Sequence, residues 1–111
     1  MKWCSTTKQV TVRTKTYSTT TTKQDRRLCP DYMKRVFALQ TISHESQHLA
    51  GVHDEATAEC NGMQMLPWFA QRFGATAAQS MQMAGDYYRD FYEVKRPGTP
   101  YYLPGCPDPA G

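Results

Sequence analysis

The rhythm of apolar and polar positions changes several times along this chain. Through Gln9-Val10-Thr11-Val12-Arg13-Thr14-Lys15-Thr16-Tyr17, β-branched residues alternate with charged or polar ones, the period of two expected of a half-exposed or edge strand. The Ser18 to Thr22 run has no apolar face and reads as a connection, with a second short strand as the alternative. Asp31 is a credible N-cap, and from there to Ala50 helix formers dominate, with Met33, Val36, Phe37, Leu39 and Leu49 available for a buried face. Gly51 falls where a left-handed residue closes a helix. Asp54 is placed to cap a second helix through Cys60, Met63 and Leu66, which Pro67 ends or kinks. Thr76-Ala77-Ala78-Gln79 has the form of a capping box and predicts a third helix to about Tyr92, with Met81, Ala84, Tyr88 and Phe91 on one face. From Arg96 onward, five prolines and three glycines exclude regular structure, so an extended tail or wrap is expected.

The pattern therefore predicts a mainly α fold with a short N-terminal β element (α+β), in three parts. Residues 1–30 form a Thr-rich basic arm with one strand, 31–95 the helical domain, and 96–111 a Pro/Gly-rich tail. A length of 111 residues fits one domain with a modest core. With 40% hydrophobic and 21% charged residues, the composition is not that of a disordered chain. The net charge of +3 conceals an asymmetry, because nine of the thirteen Lys and Arg lie in residues 1–35. A solvated basic arm is the plainer reading, and contact with nucleic acid is the weaker alternative.

Four cysteines, Cys4, Cys29, Cys60 and Cys106, are too widely spaced for a Cys-x-x-Cys metal or redox motif. Disulfides in an oxidising compartment are expected instead. Spacing does not fix the pairing, and Cys60 with Cys106, tying the tail to the helices, is the one expected. The four cysteines raise the expectation of an extracellular or cell-envelope location, although Met1-Lys2-Trp3-Cys4 lacks the apolar region of a signal peptide. No 18-residue apolar run is present, so no membrane span is expected.

The chemistry concentrates in His44-Glu45-Ser46-Gln47-His48. On a helix, two histidines four apart share a face at about 6 Å along the axis. Their imidazoles can hold one tetrahedral ion at about 2.0–2.1 Å. Glu45 then projects beside the metal position and not at it, which suits a carboxylate that takes a proton from metal-bound water. A catalytic site of this kind needs a third protein ligand and an open fourth position. The turn at Gly51 can return the next helix over the histidines, offering Glu55 and, one turn on, Glu59.

With that second motif, Glu55-Ala56-Thr57-Ala58-Glu59, the chain resembles the gluzincin class of zinc metallopeptidases, in which a HExxH helix precedes one carrying Glu-x-x-Ala-Asp or a close variant. The resemblance implies a three-helix, minimal zincin-like domain, with His44, His48 and Glu55 as zinc ligands and Glu59 as hydrogen-bond partner of a ligating histidine. Glu59 stands where the class more often has Asp, one methylene shorter. The stretch to Leu66-Pro67 is also similar to small ImmA/IrrE-like metallopeptidases and to small actinobacterial metallopeptidase-like proteins; in all, the likeness covers about residues 38–67. A rival likeness is the snapalysin pattern, His44-Glu45-x-x-His48-x-x-Gly51-x-x-Asp54, in which Asp54 would be the third ligand, and Glu59 as the ligand is a lesser third option.

The function these residues imply is a zinc-dependent hydrolase, a metallopeptidase acting on peptide or protein substrates through zinc-bound water activated by Glu45. The alternatives are a catalytically inactive zincin-like binding module and nucleic-acid contact through the basic arm. His53 reads as an exposed loop histidine, Tyr87, Tyr88 and Tyr92 as candidates for an oxyanion contact or for core packing, and Met63, Met65, Met81 and Met83 as core filler.

Overall fold

The computed structural model describes the backbone of residues 7–13 and 18–24, and residues 31–111 in full. The protein is mainly helical. Helix α1 spans Tyr32–Leu49, α2 Glu55–Arg72 and α3 Ala77–Tyr87; a π-helical turn, Tyr88–Tyr92, then leads into the short α4, Glu93–Lys95. The N-terminal backbone traces two antiparallel strands, β1 (Thr7–Arg13) and β2 (Ser18–Gln24), with Thr7 opposite Gln24 and Arg13 opposite Ser18. The side-chain alternation expected there, and Cys4 and Cys29, lie outside the described residues.

Helices α1 and α2 form an antiparallel hairpin whose facing stripes explain the position of the chemistry. Along α1 the residues Tyr32, Val36, Gln40, His44 and His48 recur every four positions and so share one face. That stripe is apolar at its start and polar at its end. On α2, Met63, Leu66 and Ala70 bury the half of the helix that lies farthest from the turn, while Glu55 and Glu59 occupy the half next to it. Hydrophobic burial thus holds one end of the hairpin together and polar groups meet at the other.

Close approach at that polar end depends on Gly62. A Cβ added there would stand 3.0 Å from Gln40 Nε2 and 3.1 Å from the His44 backbone. Ser43 Oγ donates to the Gly62 carbonyl at 2.6 Å, so the two helices are also stitched where they touch.

Several details depart from the pattern reading. Asp31 occupies the N-cap position of α1, yet its side chain makes no capping bond. Helix α2 does not stop at Pro67 but runs on to Arg72 with Pro67 buried inside it. The apolar stripe Met63, Leu66 and Ala70 bridges the proline, and its burial outweighs the one backbone hydrogen bond that proline removes. Thr76 and Gln79 do form the reciprocal capping box of α3. The buried face of α3 is Ser80, Met83, Ala84 and Tyr87, whereas Met81, expected inside, is exposed, as are Met65 and Leu49. The π turn adds a residue to the following turn and re-phases the face, bringing Tyr92 to full burial.

The tail is a wrap. Cys106 is disulfide-bonded to Cys60, Gln64 Nε2 donates to the Pro107 carbonyl at 2.8 Å, and Leu103 N donates to Tyr92 Oη at 2.8 Å. Arg96 and Tyr101 are thereby carried back to the polar end of the α1–α2 hairpin. No helix among the described residues is long and apolar enough to cross a membrane.

Candidate metal centre

The site begins with how α1 ends. Gly51 has φ +99°, its N–H donates to the His48 carbonyl at 3.0 Å, and Val52 N–H donates to the Gln47 carbonyl at 2.9 Å. This is the Schellman arrangement, which closes a helix through a left-handed residue. It also turns the Val52 carbonyl back toward the helix, where it lies 2.7 Å from His48 Nδ1. Two residues on, Asp54 caps α2 by accepting from Thr57 N at 2.8 Å and Thr57 Oγ1 at 2.7 Å. Those bonds hold the Asp54 carboxyl below its ordinary range. With α2 started so soon after α1 stops, Glu55 and Glu59 face the two histidines.

The partners of the rings fix their tautomers. A carbonyl oxygen can only accept, so His48 Nδ1 carries the proton and its Nε2 presents a lone pair. His44 Nδ1 lies 3.3 Å from Glu59 Oε1, so it too is the donor and its Nε2 presents a lone pair. These two lone pairs face one another, with Nε2 to Nε2 at 3.0 Å. A carboxylate joins them: Glu55 Oε1 is 2.6 Å from His48 Nε2 and Glu55 Oε2 is 3.4 Å from His44 Nε2. With both rings neutral, three electron-rich groups therefore converge without a donor between them, an arrangement that repels itself unless a cation is shared.

The spacing suits a metal ion. Spokes of about 2.0–2.1 Å in a tetrahedron give edges of about 3.3 Å. The 3.0 and 3.4 Å separations are near that figure and the 2.6 Å separation is shorter. Two imidazoles and a carboxylate are a donor set that zinc accepts. A proton on His48 is the competing cation, and its pKa is raised, first by the hydrogen bond to Val52 and then by the charges of Glu55 and Glu45, against a lowering by partial burial.

Glu59 is the hub behind the ligand set. It is 2% exposed. Oε1 accepts from Gln40 Nε2 at 2.5 Å and from His44 Nδ1, while Oε2 accepts from Tyr87 Oη at 3.1 Å and pairs with Arg96 Nε at 3.3 Å. A buried carboxylate is tolerable when its charge is paired and its lone pairs are occupied, as here. Burial first, and the Glu59 charge second, push the Tyr87 hydroxyl upward, so it stays a donor.

In front of these groups lies an open cavity of about 500 Å³, lined in part by Glu45, Glu55, Phe37, Phe91, Arg96 and Tyr101. Glu45 is exposed on its wall, and one ligand atom each from His44, Glu45 and His48 can be chosen within 4.8 Å of one another. Glu55 comes nearer the imidazole nitrogens than that.

The structure thus brings His44, His48, Glu55 and Glu59 together, sets Glu45 beside them, and leaves Asp54 committed to its cap. His53 is exposed in the turn. Tyr88 Oη donates to the Cys106 carbonyl and Tyr92 Oη to that of Leu103, so both serve the wrap. Gln40, Gly62, Arg96 and Tyr101 escaped the sequence reading. The four-residue spacing Gln40-His44-His48 was the available sign for the first, and a glycine inside a helix for the second. Nothing in the local pattern marked the two tail residues.

Comparison with protein-family models, with characterised proteins and with solved structures finds no match to this chain. The site's own chemistry is therefore the basis for a functional reading.

Proposed function

We propose that the protein is a zinc-dependent hydrolase, most simply a peptidase, in which His44, His48 and Glu55 hold the ion and Glu45 is the general base. One observation carries this reading: two imidazole Nε2 atoms, each on a ring whose Nδ1 proton is held elsewhere, converge with a carboxylate at 3.4 Å or less. When bound, zinc supplies a Lewis acid and lowers the pKa of a coordinated water.

The remaining roles belong to the chain. Glu55 offers one negative charge, which offsets half that of a divalent ion. Glu59 and the Val52 carbonyl hold the two rings by their Nδ1 protons, as supporting shells around metal-binding histidines do. Glu45, exposed on the cavity wall and adjacent to His44, accepts the water's proton and returns it to the leaving amine. The cavity admits a peptide segment beside these groups. The Cys60–Cys106 disulfide fits an oxidising, extracellular or envelope compartment.

The test is Glu45→Gln. The variant is expected to keep one zinc per chain by elemental analysis and to lose peptide hydrolysis by 100-fold or more, in keeping with the roughly 10²–10⁴-fold that general acid–base groups contribute. Undiminished hydrolysis would remove Glu45 from its role. Stoichiometric zinc without hydrolysis of any peptide by the wild type would favour a binding module.

A further inference from the structure

The cavity has a second pole that the hydrolase reading does not use. Arg96 reaches it from the tail side, and its guanidinium carbon stands 4.9 Å from the Phe91 ring centroid and 4.7 Å from that of Tyr101. Stacking between two rings fixes the guanidinium plane while leaving its edge to make hydrogen bonds. Its ion pair with Glu59 is made through Nε, but the geometry is not that of a hydrogen bond. Among the described residues, two buried side-chain polar atoms lack a hydrogen-bond partner: Arg96 Nε, a donor held only by its ion pair with Glu59, and Gln40 Oε1, an acceptor. Both residues line the cavity, and both flank Glu59.

Buried polar atoms without partners are rare and ask for a cause. A guanidinium with a preset plane and a glutamine carbonyl without a hydrogen bond, on two residues that line the same cavity and flank the same carboxylate, match a ligand that brings an anion and an N–H together. The last residue of a peptide has that composition: a planar carboxylate for the arginine fork and an amide N–H for a side-chain carbonyl. Glu59 links this pole to the histidines, since the two oxygens of its carboxylate touch His44 Nδ1 and Arg96 Nε, each at 3.3 Å. Phe37 and Phe91 supply the apolar surface on the same wall.

We propose that Arg96, with Gln40, receives the C-terminal residue of the substrate, so that the site takes short peptides by their free carboxylate. This deepens the hydrolase reading and rests on it for the reaction, although the binding itself can be measured without turnover. Internal segments of long chains lack the charge and bind less well. An acidic side chain also offers an anion, but sets it one or two methylenes farther from its backbone N–H than a terminal carboxylate is, a spacing that does not match the pair as well.

The experiment uses isothermal titration of the full chain with N-acetyl-Ala-Phe and with its C-terminal amide, with zinc and after chelation. Charge-assisted hydrogen bonds are the strong ones, so the free acid is expected to bind about 10-fold or more tightly than the amide. In Arg96→Gln that preference should vanish, and in Arg96→Lys it should survive in part, because the charge remains and the fork is lost. Thermal melting and zinc content of each variant separate loss of the fold or of the metal from loss of the subsite. A preference for the acid in zinc-free or non-hydrolysing protein supports the carboxylate site even if the hydrolase reading fails. Equal affinity for acid and amide, no binding of either, or an unchanged preference in Arg96→Gln overturns it.

Discussion

His48 Nδ1 lies 2.7 Å from the carbonyl oxygen of Val52, four residues ahead, and that bond ties a helix-ending turn to the chemistry of the site. The carbonyl is in place because Gly51 adopts φ +99°, which lets the chain reverse just past the end of α1. Folding and ligand orientation thus share one backbone feature.

Substituting Gly51→Ala tests the connection. No atom obstructs a Cβ at this position, so the cost is one of conformation: about 1–2 kcal/mol for a left-handed non-glycine residue. If the turn relaxes to relieve it, Val52 moves off His48 and zinc affinity drops several-fold. Thermal melting with and without zinc reads both effects. A loss of stability with zinc affinity intact would mean that the turn shapes the fold alone.

Glu59 supports a sharper expectation. Glu59→Gln keeps the size of the side chain but removes the charge that orients His44 and pairs with Arg96. Losing a supporting partner of a ligating histidine costs about 10–100-fold in metal affinity. Competition with a chromophoric chelator measures it. An affinity within twofold of the wild type would show that His44 needs no help from Glu59.

A further check falls on the packing of the two helices. Gly62→Ala puts a methyl against Gln40 and the backbone of His44, and small-to-large changes in a packed interface cost about 1–3 kcal/mol. Relief comes from separating α1 and α2 near their polar end, so zinc affinity should fall along with melting temperature. Ala58, also buried and one turn nearer the site, serves as the control through Ala58→Gly, which loosens the helix without pushing on His44.

Much of this was legible in the chain, and what was not has a physical cause. Helix starts carry their own chemistry: Asp54 and Thr76 have side chains that satisfy the first amide groups of α2 and α3, as their positions implied. The histidine pair is equally local, because a four-residue interval on one helix fixes a common face. Met81 misled because tertiary context decides it, and of the two outcomes expected at Pro67 the helix does not end there. The apolar stripe of α2 carries the helix on past the proline, and α3 turns Ser80, Met83, Ala84 and Tyr87 inward, which leaves Met81 outside. Arg96 and Tyr101 lie 48 and 53 positions beyond His48 in a stretch without periodicity, and their approach to the site depends on how the tail folds back.

The raised pKa of His48 gives a pH signature whose sign depends on the metal. In chelated protein the protonated ring is favoured by folding, so its contribution to stability is full below the ordinary histidine value of 6.5 and is lost as pH climbs through the raised value. In the proposed site, zinc would compete with that proton for the same Nε2. Its stabilising effect should therefore be small in acid and grow as pH rises through that interval. Melting curves between pH 5 and 8.5, with zinc and with chelator, should diverge toward the alkaline end, and parallel curves would place the metal elsewhere.

The Cys60–Cys106 disulfide separates the two halves of the site experimentally. It spans 46 positions, for which loop-closure entropy predicts about 4 kcal/mol of stabilisation. Cys60 follows Glu59 on α2, and Cys106 ends the segment that delivers Arg96 and Tyr101, so the bond pins the tail beside the hub carboxylate. The proposed metal donors come from α1 and the first turn of α2, two helices that touch directly through Ser43 and Gly62. A Cys60→Ala, Cys106→Ala double variant is therefore expected to melt well below the wild type yet retain zinc at temperatures where it is folded. Peptide binding should weaken at those same temperatures, because the wall formed by Arg96 and Tyr101 is no longer held in place. Were zinc lost together with the tail, the ligand set would have to include groups beyond the two histidines and Glu55.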